Sequence, residues 1–225
     1  MIEMQAVSFG YRGGGELLSD MSLTLPKGSF HFLTGPSGSG KTTFLRLCYA
    51  DLLPTTGEMK AFGNDITGLS RDGIAMLRRK IGVVHQDAQF LDHLPVAENV
   101  AMPLTVSNQP VDMAALKELL SWVGLTGHAR ALPPSLSGGE RQRAALARAV
   151  MLSPDAVLAD EPTGNLDWDM SMRLLMLLVE LNKSGKTILI ATHDLNLIRA
   201  ARQLEVQARV LRISGKRVQL AGADL

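Results

Sequence analysis

The 225-residue sequence has little of several features that commonly define a protein class: one cysteine, 4% aromatic residues and a formal net charge of only +1. Cys48 has no partner for a disulfide within the chain, which is consistent with a reducing compartment. The 23 basic and 22 acidic residues are balanced, which argues against binding nucleic acid through a broad basic face. We therefore expect no nucleic-acid partner.

Long hydrophobic runs are also lacking. Runs such as "LLMLLV" at 174–179 are far shorter than the roughly 20 residues that a bilayer-spanning helix needs. The first residues, "MIEMQAVSF", contain an acid and no uninterrupted apolar segment, so no signal peptide is predicted. The sequence predicts a cytoplasmic globular protein, for which any location at a membrane must come from a partner.

Short apolar runs alternate with amphipathic segments along the chain. Buried strands are predicted at 29–34, 81–85, 156–160 and 187–192. Helices are predicted at 112–123, between a cap at Asp112 and a stop at Gly124, and at 169–182. Residues 208–220 are typical of a hairpin that turns at Ser214–Gly215. This alternation predicts an α/β fold with a mainly parallel sheet.

A glycine-rich stretch, "GPSGSGKTT" at 35–43, follows the first of these predicted strands and precedes a segment that can form a helix. It matches G-x-x-x-x-G-K-[ST] in the strand–loop–helix context that this motif requires. Glycines let the backbone wrap closely around a phosphate, which then faces successive amides and a helix N-terminus. Lys41 would reach the β- and γ-phosphates, and the Thr42 hydroxyl would bind Mg²⁺. The stretch predicts a nucleotide site.

Two neighbouring carboxylates end the predicted strand 156–160. Asp160 would lie near Mg²⁺, and Glu161 would orient and activate the attacking water. Adjacent acids at the end of a strand are more often solvated loop charges. Their combination with the phosphate loop favours the functional interpretation.

A second glycine-rich helix start, "LSGGE", lies at 136–140. Helix N-termini bind anions, so this segment also could hold a phosphate. Ser137 is equally a good N-cap, and glycines form ordinary turns. The residues alone leave both interpretations open.

Together these motifs resemble those of the ATPase subunits of ABC transporters. "GPSGSGKTT", Gln86, "LSGGE", "VLADEP", "GNLD" and His193 occur in that family's order and approximate spacing, over essentially the whole chain. The resemblance implies a P-loop NTPase of the ABC-ATPase fold, with a mainly parallel sheet core, a β subdomain and a helical insertion. It also implies Mg²⁺-dependent ATP hydrolysis in a head-to-tail homodimer, in which each ATP lies between the phosphate loop of one subunit and "LSGGE" of the other.

The same resemblance implies one domain over 1–225. Residues 1–86 and 151–225 would form the nucleotide-binding core. Residues 87–150, in which no strand is predicted, would form the helical subdomain.

Individual roles follow from the resemblance. The nucleotide phosphates would contact a set of loop residues: Gly35, Ser37, Gly38, Ser39, Gly40, Lys41, Thr42 and Thr43. Tyr11 would stack on adenine, and Gln86 would join Thr42 and Asp160 at Mg²⁺ while sensing the γ-phosphate. Without the family, Tyr11 is typical of a packing residue and Gln86 of a loop amide.

Further roles concern catalysis and the second subunit. His193 would hold the γ-phosphate and position Glu161, although a single histidine at a strand end is more often structural. Ser137, Gly138 and Gly139 would contact the γ-phosphate of the opposite subunit. Asp167 would link the two sites across the interface, and it is also a good cap for the following helix.

The segment "PTGNLD" at 162–167 is similar to a branch that contains lipoprotein-release, macrolide-exporter and bacterial cell-division ATPases, and "GVVHQDAQFLDHLPVAENVAMPL" favours the cell-division members. Arg141 stands where this branch more often has glutamine. The similarity implies a separate integral membrane partner at the cytoplasmic face of the inner membrane. We expect that partner to dock at Phe90, Leu91 and Leu94, unless these side chains are buried in the helical subdomain. A nucleotide-gated adaptor without turnover is the alternative from another class, and intact Glu161 and His193 weigh against it.

Overall fold

The computed structural model describes residues 1–164, 166–204 and 206–221. Within these ranges the strands are β1 (Ile2–Gly10), β2 (Glu16–Leu25), β3 (Phe30–Thr34), β4 (Thr56–Ala61), β5 (Asn64–Asp65), β6 (Ile81–Val84), β7 (Ala156–Asp160), β8 (Thr187–Ala191), β9 (Ala208–Ser214) and β10 (Arg217–Leu220). The helices are α1 (Lys41–Cys48), α2 (Arg71–Arg79), α3 (Val96–Val106), α4 (Met113–Trp122), α5 (Gly138–Val150), α6 (Trp168–Lys183) and α7 (Leu195–Gln203). Each predicted strand is confirmed to within one residue at either end.

The larger sheet has six strands in the order β10-β9-β3-β8-β7-β6, and all of its neighbouring pairs except β10–β9 are parallel. Every residue of β3, β7 and β8 is buried, as expected for parallel strands covered on both faces. The predicted mainly parallel sheet is therefore confirmed. The carboxyl ends of β3, β6, β7 and β8 meet at one edge, which is the usual place for a ligand in such sheets.

The two faces of this sheet pack against different layers. Val157 and Ala159 of β7 face the apolar cluster formed with α3 to α7. Ala156 and Leu158 face the cluster that contains α1 and the smaller sheet. That smaller sheet has the order β2-β1-β4-β5 and is antiparallel, which confirms the β subdomain.

The two predicted helices are confirmed, with caps read correctly from the sequence. The Asp112 carboxylate accepts hydrogen bonds from the amides of Ala114 and Ala115 at the start of α4. Gly124, just beyond its end, has a φ of +69°, a conformation that glycine adopts at low cost. α6 begins at Trp168, directly after the cap at Asp167.

The C-terminal hairpin is confirmed, but the predicted turn at Ser214–Gly215 is wrong by one residue. Ser214 pairs with Arg217, so Gly215 and Lys216 form the turn, with φ values of +55° and +68°. Positive φ at both central residues is the geometry that follows the right-handed twist of paired strands. Lysine is uncommon in that conformation, which is why the sequence did not indicate it.

Residues 87–150, all of them described, contain helices and no strand. The end of α5 reaches the larger sheet, because a β-carbon added at Gly82 of β6 would overlap the carbonyl oxygen of Ala149. α5 thus contacts both the core and the helical insertion, and the boundaries at 86/87 and 150/151 stay a prediction. Within the described ranges, no helix combines the length and hydrophobicity needed to cross a bilayer.

Candidate functional site

A cavity of about 520 Å³ opens at the edge where the parallel strands end. It is lined by residues that the sequence analysis selected together with two that it did not: Leu17, Gly35, Pro36, Ser37, Gly38, Gly40, Lys41, Thr42, Thr43, Gln86, Asp160, Glu161 and His193. Five separate segments of the chain therefore contribute to one site. The topology of the larger sheet accounts for four of these segments, because β3, β6, β7 and β8 each end at that edge, whereas Leu17 comes from β2 of the smaller sheet.

The glycine-rich loop owes its shape to its glycines. Gly38 and Gly40 have φ values of +75° and +101°, which residues with a side chain rarely adopt. At Gly35 an added β-carbon would lie 2.7 Å from Oγ of Ser39 and 3.0 Å from the carbonyl oxygen of Ile213. Gly40 is the N-cap of α1 without a side-chain cap, so the first amides of α1 have no side-chain acceptor at that position and face the cavity edge.

Lys41 lies buried at the base of the cavity. Its Nζ donates to the carbonyl oxygens of Gly35 and Pro36, at 3.0 Å and 3.3 Å, and lies 3.8 Å from Oε1 of Glu161. The side chain thus places a cation between the loop and the carboxylate. A cation in this position suits the terminal phosphates of a nucleotide.

Asp160 and Thr42 provide neighbouring oxygen atoms at the same edge. Oγ1 of Thr42 donates to Oδ2 of Asp160 at 2.6 Å. Burial raises the pKa of the Asp160 carboxyl, and the Thr42 hydrogen bond opposes that shift in part. A carboxylate and a hydroxyl, with the Gln86 amide on the same cavity, are the hard oxygen donors that Mg²⁺ prefers when phosphates complete its coordination. These residues therefore fit a magnesium ion.

Glu161 follows Asp160 in an unusual backbone conformation. Its φ is +45°, in the left-handed region that costs a non-glycine residue about 1–3 kcal/mol. The carboxylate lies on the cavity, where Oε1 accepts a hydrogen bond from Nδ1 of His193 at 2.9 Å. Glu161 is 14% exposed and His193 75% exposed, so the histidine presents its outer face to solvent while it holds the carboxylate.

Two further predicted nucleotide residues lie close to the cavity without lining it. Tyr11 lines an adjacent cavity of about 710 Å³, its hydroxyl is 3.2 Å from Oγ1 of Thr43, and its ring packs edge-on against Phe9. Oγ of Ser39 is buried without a hydrogen-bond partner among the described residues. Leu17 was missed by sequence reasoning, because a strand leucine carries no local sign of a ligand contact.

The residues predicted to act on the second subunit are absent from the lining of this cavity. Ser137 is exposed and caps α5, because its Oγ accepts from the amide of Glu140 at 3.3 Å. The amide and hydroxyl of Ser137 donate in return to Oε2 of Glu140 at 2.7 Å and 2.8 Å. Gly138 and Gly139 form the first turn of α5. Oδ1 of Asp167 accepts from the amide of Met170 at 2.8 Å, so its capping role is confirmed. Asn165 of the "GNLD" motif lies outside the described residues.

The predicted docking residues differ in exposure. Leu91 is exposed and Leu94 half-buried. Phe90 is also half-buried, and the guanidinium groups of Arg141 and Arg148 lie over its ring, 5.3 Å and 4.6 Å from the centroid. Leu91 is therefore the most accessible apolar side chain of the three.

Comparison with known sequences gives a consistent result. Residues 18–164 match the ABC transporter family. The chain is 44% identical to the cell division ATP-binding protein FtsE of Haemophilus influenzae, an alignment that covers 88% of this chain and 92% of that protein. It is 41% identical to FtsE of Mycobacterium tuberculosis, with 95% and 94% covered.

Solved structures share the fold. A dimeric structure of MJ0796, described as a bacterial ABC transporter cassette, is 33% identical and superposes with a TM-score of 0.88 over 97% of each chain. A second dimeric structure of MJ0796, in a post-hydrolysis state bound to ADP and Pi, is 32% identical with the same TM-score and coverage.

Proposed function

Since this chain belongs to the ABC transporter family of ATP-binding, ATP-hydrolysing subunits, we propose that it works as the FtsE-type ATPase of a bacterial cell-division complex. Two copies would close around two ATP molecules, and the closure would signal through an integral membrane partner resembling FtsX to control hydrolysis of septal peptidoglycan. The identity to FtsE proteins over most of both chains supports this choice within the family. The protein would act at the cytoplasmic face of the inner membrane, held there by the partner.

One observation carries the chemistry: the Glu161 carboxylate lies between His193 and Lys41 at the cavity edge. We assign Glu161 as the base that orients the attacking water and accepts its proton. His193 would hold Glu161 and the γ-phosphate, and Lys41 would neutralise phosphate charge. Mg²⁺, held by Thr42, Asp160 and Gln86, would supply further neutralisation of charge on the phosphates.

The loop residues Gly35, Ser37–Gly40, Thr42 and Thr43 would hold the phosphates, and Tyr11 would stack on the base. Ser137, Gly138 and Gly139 would complete the site of the other subunit. The position of Ser137 supports this role, because it is exposed at the N-terminus of α5, where the backbone amides and the helix dipole favour an anion. ATP would favour the closed dimer because contacts to the γ-phosphate exist only in that state.

Asp167 and the neighbouring Trp168 provide a way to observe closure. Asp167 would lie at the contact between the two sites, and Trp168 is 49% exposed in the single chain. The sequence has one other tryptophan, Trp122, so Trp122→Phe leaves Trp168 as the only indole. Closure would transfer Trp168 from water to an interface and shift its emission to shorter wavelength.

The experiment uses the Glu161→Gln, Trp122→Phe protein with Mg²⁺ and ATP. We expect a dimer on a sizing column and a blue shift of Trp168 emission, both absent with ADP. Lys41→Ala in the same background is the control without nucleotide binding. A protein that stays monomeric with ATP at high concentration would contradict the proposed dimer.

The membrane partner requires a separate test. We propose that Leu91, 45% exposed, belongs to the docking surface, with Leu94 beside it. Detergent-solubilised membranes that contain an FtsX-type protein are passed over immobilised Glu161→Gln protein. We expect capture of that protein, and its loss with Leu91→Asp but not with Leu220→Asp, a matched change at a residue 65% exposed on β10. Capture of an exporter-type membrane protein in its place would assign the chain to that branch.

A further inference from the structure

Two arginines of α5 hold the loop that follows β6. Nη1 of Arg148 donates to the carbonyl oxygen of Gln89 at 2.6 Å, and Nη2 of Arg141 donates to that of Ala88 at 3.5 Å. Residues seven positions apart lie on the same face of a helix, so both arginines reach the loop from one side of α5. The loop is thereby fastened to the helix by side chains.

Both guanidinium groups lie within about 6 Å of the Phe90 ring centroid, the distance at which a cation is attracted to an aromatic face. Arg141 also donates through Nη1 to the carbonyl oxygen of Pro133 at 3.0 Å. Arg141 thus joins the first turn of α5, the turn at 133–135 and the loop at 88–90.

The charged guanidinium groups of Arg141 and Arg148 contact the loop and have no acidic partner in the part of the chain that the structure describes. Among the described residues, neither guanidinium is paired with a carboxylate. Burial lowers the pKa of the Arg148 guanidinium, which reflects the cost of removing its charge from water. Pairing with a carboxylate therefore does not explain why these two positively charged groups lie beside the same ring. Their partners are the loop carbonyls and the face of Phe90.

The segment beyond Phe90 has a different anchor. Asn99 of α3 is 1% exposed. Its Oδ1 accepts from the amide of Leu91 at 2.8 Å, and its Nδ2 donates to the carbonyl oxygens of Leu91 and Leu94 at 3.0 Å and 2.9 Å. The loop after Gln86 is therefore fixed to α5 at 88–90 and to α3 at 91–94.

We propose that Arg141 is a positioning residue that couples the Gln86 loop to the N-terminus of α5. Gln86 lines the cavity of its own subunit, whereas Ser137 begins the helix that would reach the partner subunit's nucleotide. Because Arg141 contacts Phe90 and the carbonyl oxygen of Ala88, the Gln86 loop and the N-terminus of α5 move together. A nucleotide bound in one subunit thereby positions Ser137 for the site of the other subunit. The inference rests on the proposed function. Glutamine at position 141 would keep a donor for a carbonyl but would put no cation over Phe90.

The test compares two measurements in the Glu161→Gln background. The first is the affinity of the single chain for a fluorescent ADP, which reports the phosphate loop alone. The second is the ATP concentration that gives half-maximal dimer on a sizing column. We expect Arg141→Gln to change the first by less than about twofold and to raise the second about five- to tenfold, as loss of one cation–π contact implies.

Further variants separate coupling from simple loss of structure. Arg130→Gln, at an exposed arginine of the same insertion, is the matched control and should change neither measurement. Phe90→Leu keeps an apolar side chain but removes the contacts of both Arg141 and Arg148 with the ring, so its effect should be at least as large as that of Arg141→Gln. The double variant should add little to Phe90→Leu, because that change already removes the Arg141 contact. Arg141→Lys should restore part of the coupling.

The outcomes are distinguishable. If the parent protein dimerises with ATP but Arg141→Gln has the same ATP dependence as Arg130→Gln, the coupling role is wrong while the proposed function stands. If Arg141→Gln weakens ADP affinity and dimerisation equally, with a lower unfolding temperature, the residue is only structural and the inference is also wrong. If the parent itself does not dimerise, the proposed function fails first.

Discussion

Nδ1 of His193 and Oε1 of Glu161 are 2.9 Å apart, although 32 residues separate them along the chain. Each follows a buried parallel strand, β8 for His193 and β7 for Glu161, and these strands are neighbours in the sheet. The hydrogen bond therefore joins the ends of two buried, neighbouring strands. It holds the carboxylate in one orientation toward the cavity, which is the condition for a base that must act on a single water molecule.

Replacing Glu161 with Gln should lower ATP hydrolysis by a factor of about 10²–10⁴, the usual contribution of a general base. The amide keeps the size of the side chain but accepts no proton. Phosphate release at saturating ATP measures the effect. Glu180→Gln is the control, at an exposed carboxylate paired with Lys183 on α6. Equal rates for the two variants would show that Glu161 is not the base.

Replacing Lys41 with Ala should weaken nucleotide binding about 10- to 100-fold, as expected for loss of charge-assisted hydrogen bonds. Titration with a fluorescent ATP analogue measures the affinity. Lys183→Ala, at an exposed lysine 2.8 Å from Oε1 of Glu180, should leave it unchanged. Unaltered affinity of Lys41→Ala for the ATP analogue would show that the phosphate loop is not part of the nucleotide site.

Replacing Asp160 with Asn should stabilise the nucleotide-free protein while lowering its hydrolysis rate. Burial raises the pKa of this carboxyl in the folded state, so the folded chain binds a proton more tightly than the unfolded chain does. Stability then falls as pH rises through the window just above the ordinary aspartate pKa, and at neutral pH the buried charge is destabilising. An asparagine oxygen still accepts from Thr42.

Thermal unfolding without nucleotide at pH 7.5 tests this expectation. A gain of about 2–4 °C corresponds to roughly 1 kcal/mol for a chain of this size. The gain should shrink at a pH near 4, where the wild-type carboxyl takes up its proton. Asp92→Asn, at an exposed loop residue, is the control. A lower unfolding temperature for Asp160→Asn at pH 7.5 would contradict the assigned cost of burial.

Replacing Gly82 with Ala should destabilise the fold by about 1–3 kcal/mol, the usual cost of overpacking. The new methyl group would overlap the carbonyl oxygen of Ala149, a backbone atom that cannot move aside by itself. Urea unfolding gives the free energy. Gly127→Ala is the matched control, because an added β-carbon there meets no atom within 4 Å. Similar stability of both variants would show that α5 and β6 separate easily.

The parallel sheet and most of the cavity were predictable because their signals are local. Four buried strands, a glycine-rich loop and two adjacent acids are each written in a few consecutive residues, and parallel strands must end at a common edge. The helix caps at Asp112 and Asp167 are equally local, because the capping side chain bonds amides two or three residues away.

Other features depend on partners distant in sequence. The positive φ values of Glu161 and Lys216 are imposed by the surrounding structure against the backbone preference of these residue types. No local sequence pattern therefore predicts them. The contact of Gly82 with Ala149 and the cation–π contact of Arg141 with Phe90 join segments 50 to 70 residues apart. The roles of Ser137 and Asp167 lie further away still, since they would be completed by a second chain.

The overlap that excludes a side chain at Gly82 has a mechanical consequence. The absence of a side chain at Gly82 lets the C-terminal end of α5 pack closely against β6, whereas Ser137 at the other end of α5 is exposed. The 12 residue steps from Ser137 to Ala149 span about 18 Å of helix at 1.5 Å each. A rigid tilt of α5 about Ala149 by about 10° would therefore carry Ser137 through about 3 Å, roughly the length of one hydrogen bond.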